Sequence, residues 1–140
     1  MAPVANDVSD QLREEIARRS SYRCEYCLIH EDDVGFPHQV DHIVSRKHGG
    51  VSALENLAYA CILCNRHKGS DVAALNPAAG EAVRLFHPRR DRWAEHFRFD
   101  LGVIEPLTEI GQATMRLLRL NAPERIAERA LLNRRGEIPG

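Results

Sequence analysis

The feature that most constrains this chain is a pair of short cysteine motifs, Cys24-x-x-Cys27 and Cys61-x-x-Cys64, which together account for all four of its cysteines. Two Cys-x-x-Cys units in a reducing compartment point to a metal before a disulfide. Four thiolates in a tetrahedron suit zinc, and each unit supplies half of the set. The competing reading is a thioredoxin-like redox pair, which needs a βαβ pattern around one motif; neither motif has it. The 33 residues between Cys27 and Cys61 are more than a plain zinc-ribbon loop requires, so a structured segment is expected there. A zinc staple of this kind is also an energetic expectation. A strand pair with one short helix buries too little apolar surface to hold itself together. A structural zinc site can add on the order of 10 kcal/mol of apparent folding free energy.

At 140 residues the chain has room for one domain with an appended element. Its 44% hydrophobic content is that of a globular protein. No run approaches the roughly 18 apolar residues of a membrane span, and Met1–Asp10 lacks the basic and apolar regions of a secretory signal. The expectation is a cytoplasmic protein with no membrane partner. The formal net charge is −1, so any surface for nucleic acid must come from local charge placement. The cations are 17 Arg and 2 Lys, a bias toward forked contacts with phosphate or carboxylate.

Periodicity and capping signals predict a helix over residues 8–20 with Ser9 as N-cap, followed at once by the first knuckle. Short strands are expected at 39–44 and 57–60, with Ser52 capping a single turn between them. A helix is expected from about 65 to 74, then a strand at 81–86 and a helix through RRDRWAEHF. A hairpin over 97–104 and helices over 109–120 and 121–133 complete the pattern. The Pro, Gly and Ala of residues 74–80 suggest an internal boundary. The expected organisation is an N-terminal helix at 1–20 packed on the core, a metal-binding core at 21–76, and a helix-rich extension at 77–140. The fold class is α+β.

The segment between and around the knuckles holds the parts for phosphodiester hydrolysis. Asp41 and His42 are adjacent at a strand end. Asn65 follows Cys64 directly, so a metal on Cys64 would fix Asn65 at the start of the next helix. Carboxylate and amide oxygens are hard ligands suited to Mg2+ or Mn2+, which complete their shells with water and substrate phosphate. His42 is then the general base for the attacking water.

These residues carry a resemblance. The order Cys24-x-x-Cys27, Asp41-His42-Ile43, Gly49-Gly50, Asn56-Leu57, Cys61-x-x-Cys64-Asn65-x-x-Lys68-Gly69 resembles the HNH endonuclease family. The resemblance covers about residues 20–70. It implies a ββα-metal core (strand, loop, strand, helix) stapled by zinc on the four cysteines. It implies that His42 activates water, that Asp41 and Asn65 hold a single catalytic cation, and that Asn56 bonds across the loop to orient His42. It implies a 3′-hydroxyl leaving group and a 5′-phosphate product from DNA. Many members have His directly after the last cysteine, where this chain has Asn65; Asn also occurs there, including in structure-resolving nucleases. RNA cleavage and the choice between monomer and homodimer stay open. The alternative reading is a zinc-stabilised module that binds nucleic acid or protein without cutting it.

His67, Lys68, Arg46 and Lys47 are candidate substrate contacts. His38 and His48 read equally well as phosphate contacts or as solvent-facing side chains, and His30 with Glu31, Asp32 and Asp33 reads as a polar loop. Arg84, Arg89, Arg90 and Arg92 cluster with Trp93 and Phe97. The aromatics are expected in the core, and the arginines either grip a sugar-phosphate backbone or pair with Asp91 and Glu95. The arginines from Arg116 to Arg135 read as a solvated helical face.

Overall fold

A computed structural model describes residues 8–78 and 80–134. The architecture is α+β: three antiparallel two-stranded ribbons with five helices between and around them. Helix α1 (Asp10–Arg19) opens on Ser9, whose hydroxyl accepts the Leu12 N–H at 3.1 Å, and ends on Arg18 and Arg19 at its negative pole. Its buried Ile16 and Ala17 pack on Leu57 and Tyr59 of β2 (Leu57–Ala60). Arg19 reinforces this by donating to the carbonyl of Leu54 at 2.9 Å. The N-terminal helix therefore braces the strand that leads into the second knuckle.

Strand β1 (Gln39–His42) pairs with β2 in the register Gln39 to Ala60, Asp41 to Ala58 and His42 to Leu57. All four β2 residues are buried, which explains the continuous apolar run LAYA at a site covered on both faces. Helix α2 (Ile62–Lys68) starts from Cys61, whose sulfur serves as the N-cap acceptor for the Cys64 N–H. Together β1, β2 and α2 form the expected strand, loop, strand, helix order. The helix begins three residues earlier than the sequence pattern indicates, because the metal knuckle itself forms its first turn. It ends at Gly69 and not near Ala74.

Residues Ala73–Asn76 form strand β3 and pair with β4 (Glu81–Arg84). The boundary expected at 76/77 thus lies in the turn of a hairpin, and the Pro, Gly and Ala there are turn residues. Only four residues of RRDRWAEHF are helical, as α3 (Trp93–His96); residues 88–91 form a turn closed by Asp91, which accepts the His87 N–H at 2.8 Å. Strands β5 (Phe97–Asp100) and β6 (Val103–Pro106) form a hairpin around Leu101 and Gly102. Helix α4 (Glu109–Leu117) is capped by Thr108, and α5 (Pro123–Arg134) follows.

One apolar cluster runs from the knuckles into the extension. It joins Cys24, Tyr26, Ile43, Ala58 and Cys64 to Phe86, Phe97, Ile104, Leu118 and Leu132. Trp93 and Phe97 lie in or against it, ring centroids 5.1 Å apart, and the Trp93 indole donates to the Tyr26 carbonyl at 2.9 Å. The arginines of α5 depart from the expected solvated face: Arg125 is 7% exposed and Arg129 1%. Arg129 caps the chain turn below it, donating to the carbonyls of Gly102 at 2.9 Å and Leu120 at 2.5 Å. A guanidinium offers five donors in a fixed fork, so one buried arginine can satisfy several turn carbonyls at once. Among the described residues no helix is long and apolar enough to cross a membrane.

Candidate metal and catalytic site

The two knuckles meet because the first one is sewn to β2. The Glu25 N–H donates to the Tyr59 carbonyl at 2.8 Å, and the Tyr59 N–H donates to the Glu25 carboxylate at 2.7 Å. Arg89 closes over the same carboxylate, and burial lowers its own pKa to about 10. Tyr59 stands two residues before Cys61, so this pair holds Cys24 and Cys27 beside Cys61 and Cys64. Ligand atoms of the four lie within 4.8 Å of one another, and Cys27 Sγ and Cys61 Sγ are 3.7 Å apart. Zinc–sulfur bonds of about 2.3 Å in a tetrahedron place the sulfurs about 3.8 Å apart. All four are buried, and the donor set suits zinc. Burial pushes the Cys24 and Cys64 thiols well up, so a bound metal must displace their protons.

Arg125 of α5 completes the surroundings of this cluster. Its Nη2 donates to Cys64 Sγ at 3.0 Å and lies 3.7 Å from Cys61 Sγ. Its Nη1 donates to the carbonyls of Leu118 and Arg119 at 2.8 and 3.1 Å. Burial opposes its charge, but the pull of Cys64 and Cys27 outweighs burial and holds its pKa above the ordinary value. No sequence signal points to this role, since Arg125 stands more than sixty residues from the knuckles among other charged helix residues.

On the other side of α2, Asp41 points inward and is 3% exposed. It accepts from the Tyr26 hydroxyl at 2.8 Å and from Lys68 Nζ at 3.2–3.3 Å. Burial raises the Asp41 pKa, and the Lys68 charge and Tyr26 bond offset part of that rise. Lys68 also donates to the carbonyls of His42 and Ile43, at 3.3 and 3.1 Å. Its side chain is therefore a strut that pins the end of β1 to α2. The expectation that Lys68 touches substrate is corrected, because a side chain 1% exposed has no surface to offer a phosphate. Its buried carboxylate partner and two carbonyls draw the ammonium inward.

Asn65 lies one helical turn before Lys68 and donates through Nδ2 to Gln39 Oε1 at 2.6 Å. Gln39 and Asp41 share one face of β1, so α2 lays Asn65 over Gln39 and Lys68 over Asp41. Asp41 and Asn65 thus occupy the same strip but are bonded to different partners. The Asn65 Oδ1 accepts no hydrogen bond among the described residues, which leaves a hard oxygen for a cation.

His42 faces the opposite side of β1, toward the 43–56 loop. Its Nε2 is 2.8 Å from Ser52 Oγ. Ser52 therefore steadies the imidazole, and the short 3-10 turn Leu54–Asn56 starts without its help. Partial burial lowers the His42 pKa, an effect that the Asp41 charge opposes and Arg46 and Lys68 reinforce. Asn56 fastens the loop at both edges: its Oδ1 accepts the Val44 N–H, and its Nδ2 donates to the Val44 and Val51 carbonyls, all at 2.9 Å. Asn56 acts on the backbone two residues beyond His42 and makes no direct bond to the ring. Gly50 is required beside it, since a Cβ there would sit 1.7 Å from the Val44 carbonyl oxygen. Arg46, Lys47 and His48 form an exposed 3-10 turn on this loop, closed by Gly49 at φ +91°.

Residues 24–71 match the HNH endonuclease family model. The matched segment is a third of the chain and runs from the first cysteine to just past Lys68. It contains both knuckles, β1, β2, α2 and the Asn56-fastened loop. No curated protein and no solved structure matches the chain. The match supports nuclease activity and a nucleic-acid substrate at the level of the family.

The remaining sequence candidates sort by burial. His67 is half-buried, and burial together with Arg119, Arg125 and Arg66 lowers its pKa. His38 differs from both expectations: it is buried, its Nε2 is 2.9 Å from the Ile29 carbonyl, and its ring packs on Tyr59. Arg84 pairs with Asp91 at 2.7 Å, whereas Arg90 and Arg92 are exposed. Tyr26 and Ser52 are the residues sequence reasoning missed nearest to the Asp-His pair. The position of Tyr26 inside the first knuckle was the available signal.

Proposed function

We propose that this protein is a divalent-cation-dependent endonuclease that hydrolyses DNA phosphodiester bonds, with zinc on the four cysteines as a structural staple. The observation that carries the reading is His42 itself. A half-buried imidazole, its pKa lowered by that burial, is held by Ser52 on a loop fastened by Asn56, within the segment that matches the HNH model. With Nε2–H donated to Ser52, Nδ1 is left to take a proton from water. The resulting hydroxide attacks phosphorus, the bond to the 3′ oxygen breaks, and that oxygen takes a proton from solvent, leaving a 5′-phosphate. Mg2+ or Mn2+, when bound, supplies charge stabilisation at the phosphoryl and leaving oxygens. Asp41 and the free Oδ1 of Asn65 are the residues to hold it. Their oxygen chemistry fits such a cation, and Asp41 then shares its carboxylate with Lys68. Arg46 and Lys47 lie on the same exposed loop edge and are the proposed phosphate contacts; His67 is a weaker candidate. A cytoplasmic location agrees with the four reduced cysteines.

Plasmid relaxation with added Mg2+ or Mn2+ tests this. The parent should nick, and His42→Ala should nick about 10²–10⁴-fold more slowly. Equal rates would remove His42 as the base. A second reading has its own observation. Asp41 is fully engaged by Lys68 and Tyr26, as a purely structural carboxylate would be. On that reading the protein binds nucleic acid without cutting it, and no cation elicits nicking.

A further inference from the structure

A cleft of about 410 Å3 lies between the HNH segment and the extension. Its floor is apolar, formed by Ile43, Val44, Val72 and Leu85, and its rim carries His87 and Arg90. The size falls within the range of pockets that take small organic groups. We propose that this cleft receives one unpaired nucleotide beside the scissile phosphate, with the base on the apolar floor and its phosphate on Arg90. The inference rests on the nuclease reading for the position of the scissile phosphate, but its own evidence is separate.

Three observations support it. Val44 lines the cleft and stands two residues from His42, so the Cα atoms of the two residues are no more than about 7 Å apart. Next, the charges on this side are free to meet a phosphate. Arg90 is exposed and forms no ion pair among the described residues, unlike Arg84, which Asp91 holds. Arg46 and Lys47 follow Val44 by two and three residues and are also exposed. Finally, part of the apolar lining is open to solvent: Val72 is 47% exposed, and the lining also includes buried Leu85 and Phe86. An apolar surface beside cations is what a base with its attached phosphate presents in complement. A stacked duplex base cannot reach such a floor without leaving the helix, so the cleft favours bulges, mismatches and single strands over perfect duplex.

The experiment measures binding by fluorescence anisotropy, without added divalent cation, to three labelled DNAs: a perfect duplex, the same duplex with a one-nucleotide bulge, and the same bulge made abasic. The parent should bind the base-bearing bulge about tenfold more tightly than the abasic one. Val72→Trp, which fills the cleft from an exposed position, should erase that difference and leave duplex binding unchanged. Arg90→Glu should weaken binding to both bulges. Equal affinity for the two bulges, or a difference that survives Val72→Trp, overturns the inference. Nicking of the duplex by the same proteins in Mn2+ separates the two readings. Base-dependent binding without nicking leaves the cleft standing and removes the nuclease reading; nicking without base-dependent binding does the reverse. Absence of binding to every DNA removes both.

Discussion

Replacing Arg125 by Met should weaken zinc binding although it changes no cysteine. Zinc with four thiolates leaves two negative charges in excess, in a site with no exposed sulfur. Arg125 is the cation at hydrogen-bond distance from that charge, 3.0 Å from Cys64 Sγ. Loss of a partner that bonds to a metal ligand typically lowers metal affinity about 10–100-fold, or roughly 1.4–2.8 kcal/mol. The substitution also strands the Leu118 carbonyl, at about 1–3 kcal/mol for a buried group left unpaired, while the Arg119 carbonyl keeps the Ala122 N–H. The two effects separate by control. Leu132→Ala removes buried packing from the same helix and should cost about 2–5 kcal/mol of stability without touching a sulfur. Competition with a chromophoric zinc chelator at neutral pH reads the affinity, and thermal melts of the zinc-loaded proteins read the stability. Arg125→Met should lose on both readouts and Leu132→Ala on stability alone. Unchanged chelator competition for Arg125→Met would show that the sulfur contact does not tune the site, and the argument from charge would fail.

Asn56→Ala removes three hydrogen bonds that fasten the His42 loop. Nicking should fall by at least tenfold while zinc content stays at one per chain, read by metal analysis beside plasmid relaxation. Lys68→Met leaves the Asp41 carboxylate buried without its cation and should destabilise the fold by about 3–5 kcal/mol in denaturant melts, with Asp41→Asn on top recovering part of the loss. The Asp91 carboxyl, held at about 2 chiefly by Arg84, contributes stability that is complete above the ordinary aspartate pKa and is lost as pH falls through about 2. Carbon-detected NMR titration should place it there, and Arg84→Ala should return it toward the usual range.

The cysteine-bearing half was legible because its signals are local and chemically singular. The two knuckles fix a metal, the LAYA run fixes a buried strand, and Ser9 and Thr108 fix helix starts through their own side chains. What the sequence hid depends on contacts between distant segments. Lys68 reads as a surface cation at the end of a short helix; only the approach of β1 turns it into a buried strut. Arg125 and Arg129 share the spacing of solvated helix residues, and their burial comes from the sulfurs of α2 and the turn at Gly102. The helix read through RRDRWAEHF is cut short because Asp91 folds back on Arg84 and the His87 N–H, a local bond that competes with helix formation. The expected meeting of Asp41 and Asn65 follows from ligand chemistry, whereas the packing of α2 on β1 offers each of them a nearer partner.

The most direct test of the account is a crystal structure with Mn2+ and an uncleaved DNA, read at the manganese absorption edge. The expected result is an anomalous peak about 2.1 Å from an Asp41 carboxylate oxygen and from Asn65 Oδ1, distinct from zinc on the cysteines. DNA bound with Asp41 still closed on Lys68 and Tyr26, and no manganese beside it, would contradict the assigned chemistry.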